Sequence, residues 1–88
     1  MVERRVRVET QVGLHARPAA LFVQTAAKAP MEVSVGRPYA DPVNAKSILS
    51  VLGLDIRHGE EIVITAEGNG ADDLLSELEA LVVESKSA

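Results

Sequence analysis

His15 and Arg17 stand two residues apart, directly before Pro18, in the run Gly13-Leu14-His15-Ala16-Arg17-Pro18-Ala19. Imidazole has an ordinary pKa of about 6.5, so near neutral pH much of it is an uncharged nitrogen nucleophile. A guanidinium nearby is always cationic and can grip a phosphate, or the transition state that delivers it, through charge-assisted and bidentate bonds. Proline suits the first turn of a helix, where its missing N–H has no intrahelical partner to lose. The spacing therefore puts His15 at a helix entrance, beside the free amides of Ala16 and Arg17 and the positive end of the helix dipole. That is an anion site with a nucleophile in it. The chemistry it suits is a phosphoryl group held on the imidazole itself, since phosphoryl transfer asks mainly for positioning and charge stabilisation. Taken alone, a histidine here is more often a plain cap or turn residue.

A second cluster lies about 30 residues on, in Val43-Asn44-Ala45-Lys46-Ser47-Ile48. Asn44 is a good N-cap for a short helix starting at Ala45 or Lys46 and running to Leu52, with Gly53 as its stop. Ile48, Leu49, Val51 and Leu52 give it more apolar positions than one buried face needs, so some are expected to be exposed. Serine at position 47, near a helix start, is commonplace and needs no regulatory explanation. His58, between Arg57 and Gly59, reads as a solvated turn residue. Asp72 and Asp73 read as partners of a helix dipole and not as an acid pair. Neither histidine has the companions of a metal site, and Gly68-Asn69-Gly70 lacks the lysine of a phosphate-binding loop. No metal and no cofactor is expected.

The elements that must position these groups follow from periodicity. Val6 and Val8 alternate with Arg5, Arg7 and Glu9, as in a half-buried strand. A helix over about residues 16–28 places Ala19, Phe22, Val23 and Ala26 on one face and Arg17, Gln24 and Lys28 on the other, with Ala20 and Leu21 beside the latter. Pro30 bars its continuation. Residues 32–35 alternate again. Residues 36–42 form a turn rich in proline, with a short strand around residues 39–43 whose register is open. Residues 61–66, Glu-Ile-Val-Ile-Thr-Ala, are the most strand-like segment. A last helix spans about residues 71–84 with Leu74, Leu78 and Leu81 as its stripe, and residues 85–88 are expected to fray. The order β-α-β-β-α-β-α, with three helices laid on one face of a four-stranded sheet, gives an α+β two-layer sandwich.

Composition narrows the partners. The chain has 88 residues, enough for one small domain, with 47% hydrophobic residues to build a core. A formal charge of −4, one Phe, one Tyr and no Trp argue against nucleic-acid binding. Absence of cysteine removes disulfides and thiolate chemistry. Residues 1–5 lead into alternating residues and not into a secretory apolar core, and no run suits membrane insertion. A cytoplasmic location is the expectation.

The heptapeptide around His15 and the hexapeptide around Ser47 together resemble the histidine-containing phosphocarrier (HPr) family of the bacterial phosphoenolpyruvate:sugar phosphotransferase system. The likeness covers essentially the whole chain. It implies an antiparallel, open-faced sandwich in which His15 takes a phosphoryl group from enzyme I, on Nδ1, and passes it to the EIIA domains of sugar permeases. The residues alone do not distinguish Nδ1 from Nε2. The resemblance makes Arg17 the transfer partner of His15, with the Ala16 and Arg17 amides binding phosphate. It makes Ala20, Leu21, Gln24, Ile48, Leu49 and Leu52 the docking surface. It also makes Ser47 a site that an HPr kinase/phosphorylase modifies in some members. A monomer serving as a transfer intermediate, more than a free-standing enzyme, is expected. The alternatives are a regulatory binding module acting through phospho-Ser47, and a carrier for a nitrogen-related or dihydroxyacetone pathway.

Overall fold

The computed structural model describes residues 1–83. The elements are β1 (Val2–Arg7), α1 (Ala16–Lys28), β2 (Val33–Gly36), β3 (Val43–Asn44), α2 (Ile48–Gly53), β4 (Glu61–Ala66) and α3 (Ala71–Val83). The strands pair antiparallel in the order β1-β4-β2-β3. β4, the most strongly β-branched segment, is thus paired on both sides, from Val6↔Ile62 on one edge to Val35↔Ile64 on the other.

Alternation decides which face of the sheet is covered. Val6, Val33, Val35, Ile62 and Ile64 are buried, while Arg5, Ser34, Val63 and Thr65 between them point to the open face and stay exposed or half-buried. The buried side meets Ala19, Phe22 and Ala26 of α1, Val51 of α2, and Ala71, Leu74, Leu75, Leu78 and Val82 of α3. The result is the α+β open-faced sandwich, with all three helices contributing to one core.

Several boundaries differ from the sequence expectation. The strand expected around residues 39–43 shrinks to Val43–Asn44, because Pro38 and Pro42 cannot donate to a ladder and Ala40 N–H closes a turn onto Arg37 O at 3.2 Å. Its register is Ser34↔Asn44 and Val35↔Val43. Asn44 does not cap α2. It closes the preceding turn, accepting the Lys46 N–H on Oδ1 at 2.9 Å, and the cap is Ser47. Gly53 lies within α2, and the left-handed residue after the helix is Asp55 (φ 53°). In α3 the stripe is completed by Leu75 and Val82, with Leu81 only half-buried, because a 3.6-residue period starting at Ala71 favours those positions. In α1, Val23 is half-buried at the margin of the core. Position 84 and residues 85–88 lie outside the described residues.

Candidate functional site

His15 stands where α1 begins. Its backbone is extended (φ −133°, ψ 169°), its carbonyl accepts the first intrahelical bond from Ala19 N–H at 3.3 Å, and its side chain caps nothing. Ala16 follows with φ 51°, in the left-handed region. A side chain with a Cβ there costs about 1–2 kcal/mol, and such strain persists only where the surroundings impose it. This one residue turns the chain from extended at His15 into the helix. The amides of Ala16 and Arg17, in the first turn, have no intrahelical acceptor. Pro18 follows within the same turn, as expected. Arg17 is exposed, with no ion pair among the described residues.

The entrance is held in place by a second loop, residues 54–60. Leu14 N–H donates to Ile56 O at 2.9 Å, Val8 N–H to Glu60 O at 2.8 Å, and Gly59 N–H to Val8 O at 2.7 Å. Gly13 is required at this closure: its φ is 71°, and a Cβ would sit 2.8 Å from Arg57 Cα. Thr10, buried, donates from Oγ1 to Gly13 O at 2.7 Å, and His58 donates from Nδ1 to Thr10 O at 3.2 Å. His58, expected to be merely solvated, therefore also braces the histidine loop.

Asp55 is the residue that sequence reasoning missed. Its Oδ1 accepts from His15 Nε2 at 3.1 Å, and its Oδ2 accepts from Arg57 Nη2 at 3.0 Å. The Arg57 guanidinium, and to a lesser degree His15, holds the Asp55 carboxyl below the usual carboxylate range. The loop that carries Asp55 is gripped by Arg37, which donates to Leu54 O at 2.9 Å, to Asp55 O at 3.3 Å and to both oxygens of Glu60. The Arg37 hydrogen bond, followed by the Arg57 N–H, lowers the Glu60 carboxyl in turn. Asp55 is 40 residues from His15 and belongs to no motif. The nearest trace in the sequence was Gly53, the last residue of α2, two positions before Asp55.

The second cluster sits close by because α1 and α2 pack on each other. Leu49 is 79% exposed, and Ile48 (39%), Leu52 (37%) and Leu21 (37%) are also open to solvent, whereas Val51 is buried. Gln24 is exposed and Ala20 half-buried. Ser47 Oγ accepts from Ser50 N–H at 3.3 Å and caps α2, while Lys46 Nζ donates to Ala29 O at 2.8 Å and ties the start of α2 to the end of α1. No group of side chains among the described residues could hold a metal ion. No described helix is long and apolar enough to cross a membrane.

Residues 2–84 match the family described as the phosphotransferase-system HPr component phosphorylation site. The HPr phosphocarrier protein of Streptomyces coelicolor is 46% identical over 84 residues, covering 96% of this chain and 90% of its own. The HPr-like protein Crh of Bacillus subtilis is 39% identical over 96% of this chain and 98% of its own. The crystal structure of a phosphocarrier protein HPr from Bacillus anthracis superposes with a TM-score of 0.86 at 43% identity, covering 92% of this chain and 95% of that one. With its helix-entrance histidine and its open-faced sandwich, this chain belongs to the HPr phosphocarrier family of the phosphotransferase system.

Proposed function

We infer that this phosphocarrier is charged on His15 by phospho-enzyme I and hands the group to EIIA domains of sugar permeases. The observation that carries the reading is the His15 side chain, which stands at a helix N-terminus without capping it and keeps its ring accessible (35% exposed). The ring nitrogen attacks phosphorus as the donor's bond to it breaks, with the electron pair leaving on the donor. The Ala16 and Arg17 amides receive phosphate oxygens, and the Arg17 guanidinium swings onto the charge that develops. Nε2 faces Asp55, which supports Nδ1 as the nitrogen that bears the phosphoryl group.

Leu49, Leu52 and Leu21, with Ile48 at their edge and Ala20 and Gln24 alongside, form the apolar surface on which enzyme I and EIIA dock in turn. The protein works in the cytoplasm as a monomer.

A second reading is supported by the likeness to Crh and by Ser47 at the cap of α2. In it, an HPr kinase/phosphorylase modifies Ser47. Nearly two negative charges arriving beside the docking surface then reduce transfer or recruit a regulatory partner.

The test is labelling from phosphoenolpyruvate through enzyme I, comparing the natural chain with His15→Ala. Label should enter only the natural chain. Equal labelling of both overturns the carrier reading.

A further inference from the structure

We propose that Asp55 is a positioning residue for His15: its carboxylate keeps the ring proton on Nε2, leaves the Nδ1 lone pair as the nucleophile, and remains as counter-ion while the ring carries phosphate. The proposal rests on the carrier reading above. It assigns a role to a residue outside both sequence clusters.

An ionised carboxylate only accepts hydrogen bonds, so the 3.1 Å contact requires Nε2 to be the donor. In a neutral imidazole the other nitrogen, Nδ1, then holds the free lone pair. The carboxylate is built into this place. Its second oxygen is taken by Arg57, and Arg37 fixes the carbonyls of Leu54 and Asp55. Ile56, the next residue, accepts the Leu14 N–H one position before the histidine. The backbone at position 55 is left-handed (φ 53°). Glycine would adopt that conformation freely, yet the chain carries an acidic side chain there, aimed back across the loop at the imidazole. The charged groups at the ring are Asp55 on Nε2 and Arg57 behind that carboxylate on the same loop.

The charge balance of the transfer makes such a counter-ion useful. When the Nδ1 lone pair forms the N–P bond, the donor's bond to phosphorus breaks and its electron pair stays with the donor. The ring becomes a phosphoimidazolium with its proton still on Nε2, and its positive charge faces the Asp55 carboxylate. When the next acceptor attacks phosphorus, the N–P electron pair returns to Nδ1 and the ring leaves as neutral imidazole. No proton moves in either step. Without the carboxylate, the phosphorylated ring loses its Nε2 proton more readily to water. The leaving group would then be an imidazolide, and the phosphoryl group becomes slower to pass on.

Asp55→Gly and Asp55→Asn, in the full chain, separate the contributions. Glycine keeps the backbone conformation and removes both hydrogen bond and charge, and asparagine keeps a hydrogen-bond acceptor and removes the charge. Ring 15N NMR of the uncharged protein should show a slowly exchanging Nε2–H in the natural chain that is lost in Asp55→Gly, with the fold intact by circular dichroism. After charging by enzyme I, handover to EIIA should slow roughly tenfold in both variants and the phosphohistidine should outlive that of the natural chain. An unchanged Nε2–H signal in Asp55→Gly overturns the positioning role. Natural rates in Asp55→Asn overturn the counter-ion role. A natural chain that enzyme I does not label overturns the carrier reading itself, and with it the counter-ion step.

Discussion

His15 and Ser47 occupy the same structural station and use it in opposite ways. Each is the extended residue immediately before a helix, α1 for His15 and α2 for Ser47. Ser47 turns its side chain onto its own helix and accepts the Ser50 N–H, so its oxygen is occupied in structure. His15 turns its ring away from the helix and onto Asp55, leaving the first amides of α1 without a side-chain cap. A helix entrance can thus be closed by its own side chain or left uncapped, and this chain does one of each. The open one carries the strained Ala16 and depends on a neighbouring loop for its geometry. The closed one is capped by its own hydroxyl, with Lys46 tying its start to the end of α1.

The contrast fails first if the two caps respond alike to removal. His15→Ala should abolish charging by enzyme I, a loss beyond about a thousandfold, while shifting Tm by only about 2 °C because no cap bond is lost. Arg17→Ala should slow transfer by about 10–100-fold with the fold unchanged, read by stopped-flow handover to EIIA. A natural rate would return Arg17 to an ordinary surface cation. Leu49→Asp should weaken enzyme I binding about tenfold by titration calorimetry, leaving Tm near its natural value, since Leu49 is exposed and Val51 is the residue of α2 in the core. Ser47→Ala should do the reverse of His15→Ala, costing about 1 kcal/mol of stability, roughly 4–8 °C in Tm, with charging within about twofold of natural.

The smallest effect concerns pH and the loop that supports only the open cap. Asp55, through the Arg57 hydrogen bond first, and Glu60, through that of Arg37 first, are both held below their ordinary values. A carboxyl depressed in the folded state stabilises it fully above its unfolded value, and that contribution is lost as pH falls through the folded value. Acidification from about pH 5 toward about pH 3 should therefore loosen residues 54–60 and the Leu14–Ile56 bond before the sheet opens. The protection factor of the Leu14 amide, exchange corrected for its intrinsic pH dependence, should fall over that range, while those of the β4 amides stay high. An equal fall at both would deny the loop any separate role.

What the residues made legible was everything local. Alternation gave β1 and β2, strand propensity gave β4, the Pro18 and Pro30 punctuation bounded α1, and the heptapeptide located His15 and Arg17 at its start. The apolar excess in the second helix foretold an exposed Leu49. Expectations failed where one residue type serves two local structures. Asn44 can cap a helix or close a turn, and Ser47 three residues later was the better cap because Asn44 already paired in β3. Gly53 does end α2, one residue past the expected Leu52, but the left-handed residue is Asp55, a residue type that tolerates it. Asp55 itself was not legible at all. Its partnership with His15 exists only because the 8–14 and 54–60 loops are laced by backbone bonds, and nothing in a side-chain pattern reports a contact of that kind.

The most direct measurement is to locate the phosphate in the natural chain charged by enzyme I and phosphoenolpyruvate, by peptide mapping under alkaline conditions with 31P NMR of the intact protein. A single acid-labile, alkali-stable adduct on residue 15, bonded through Nδ1, is the expected result. An adduct on Ser47 or His58, or on Nε2 of His15, would contradict it.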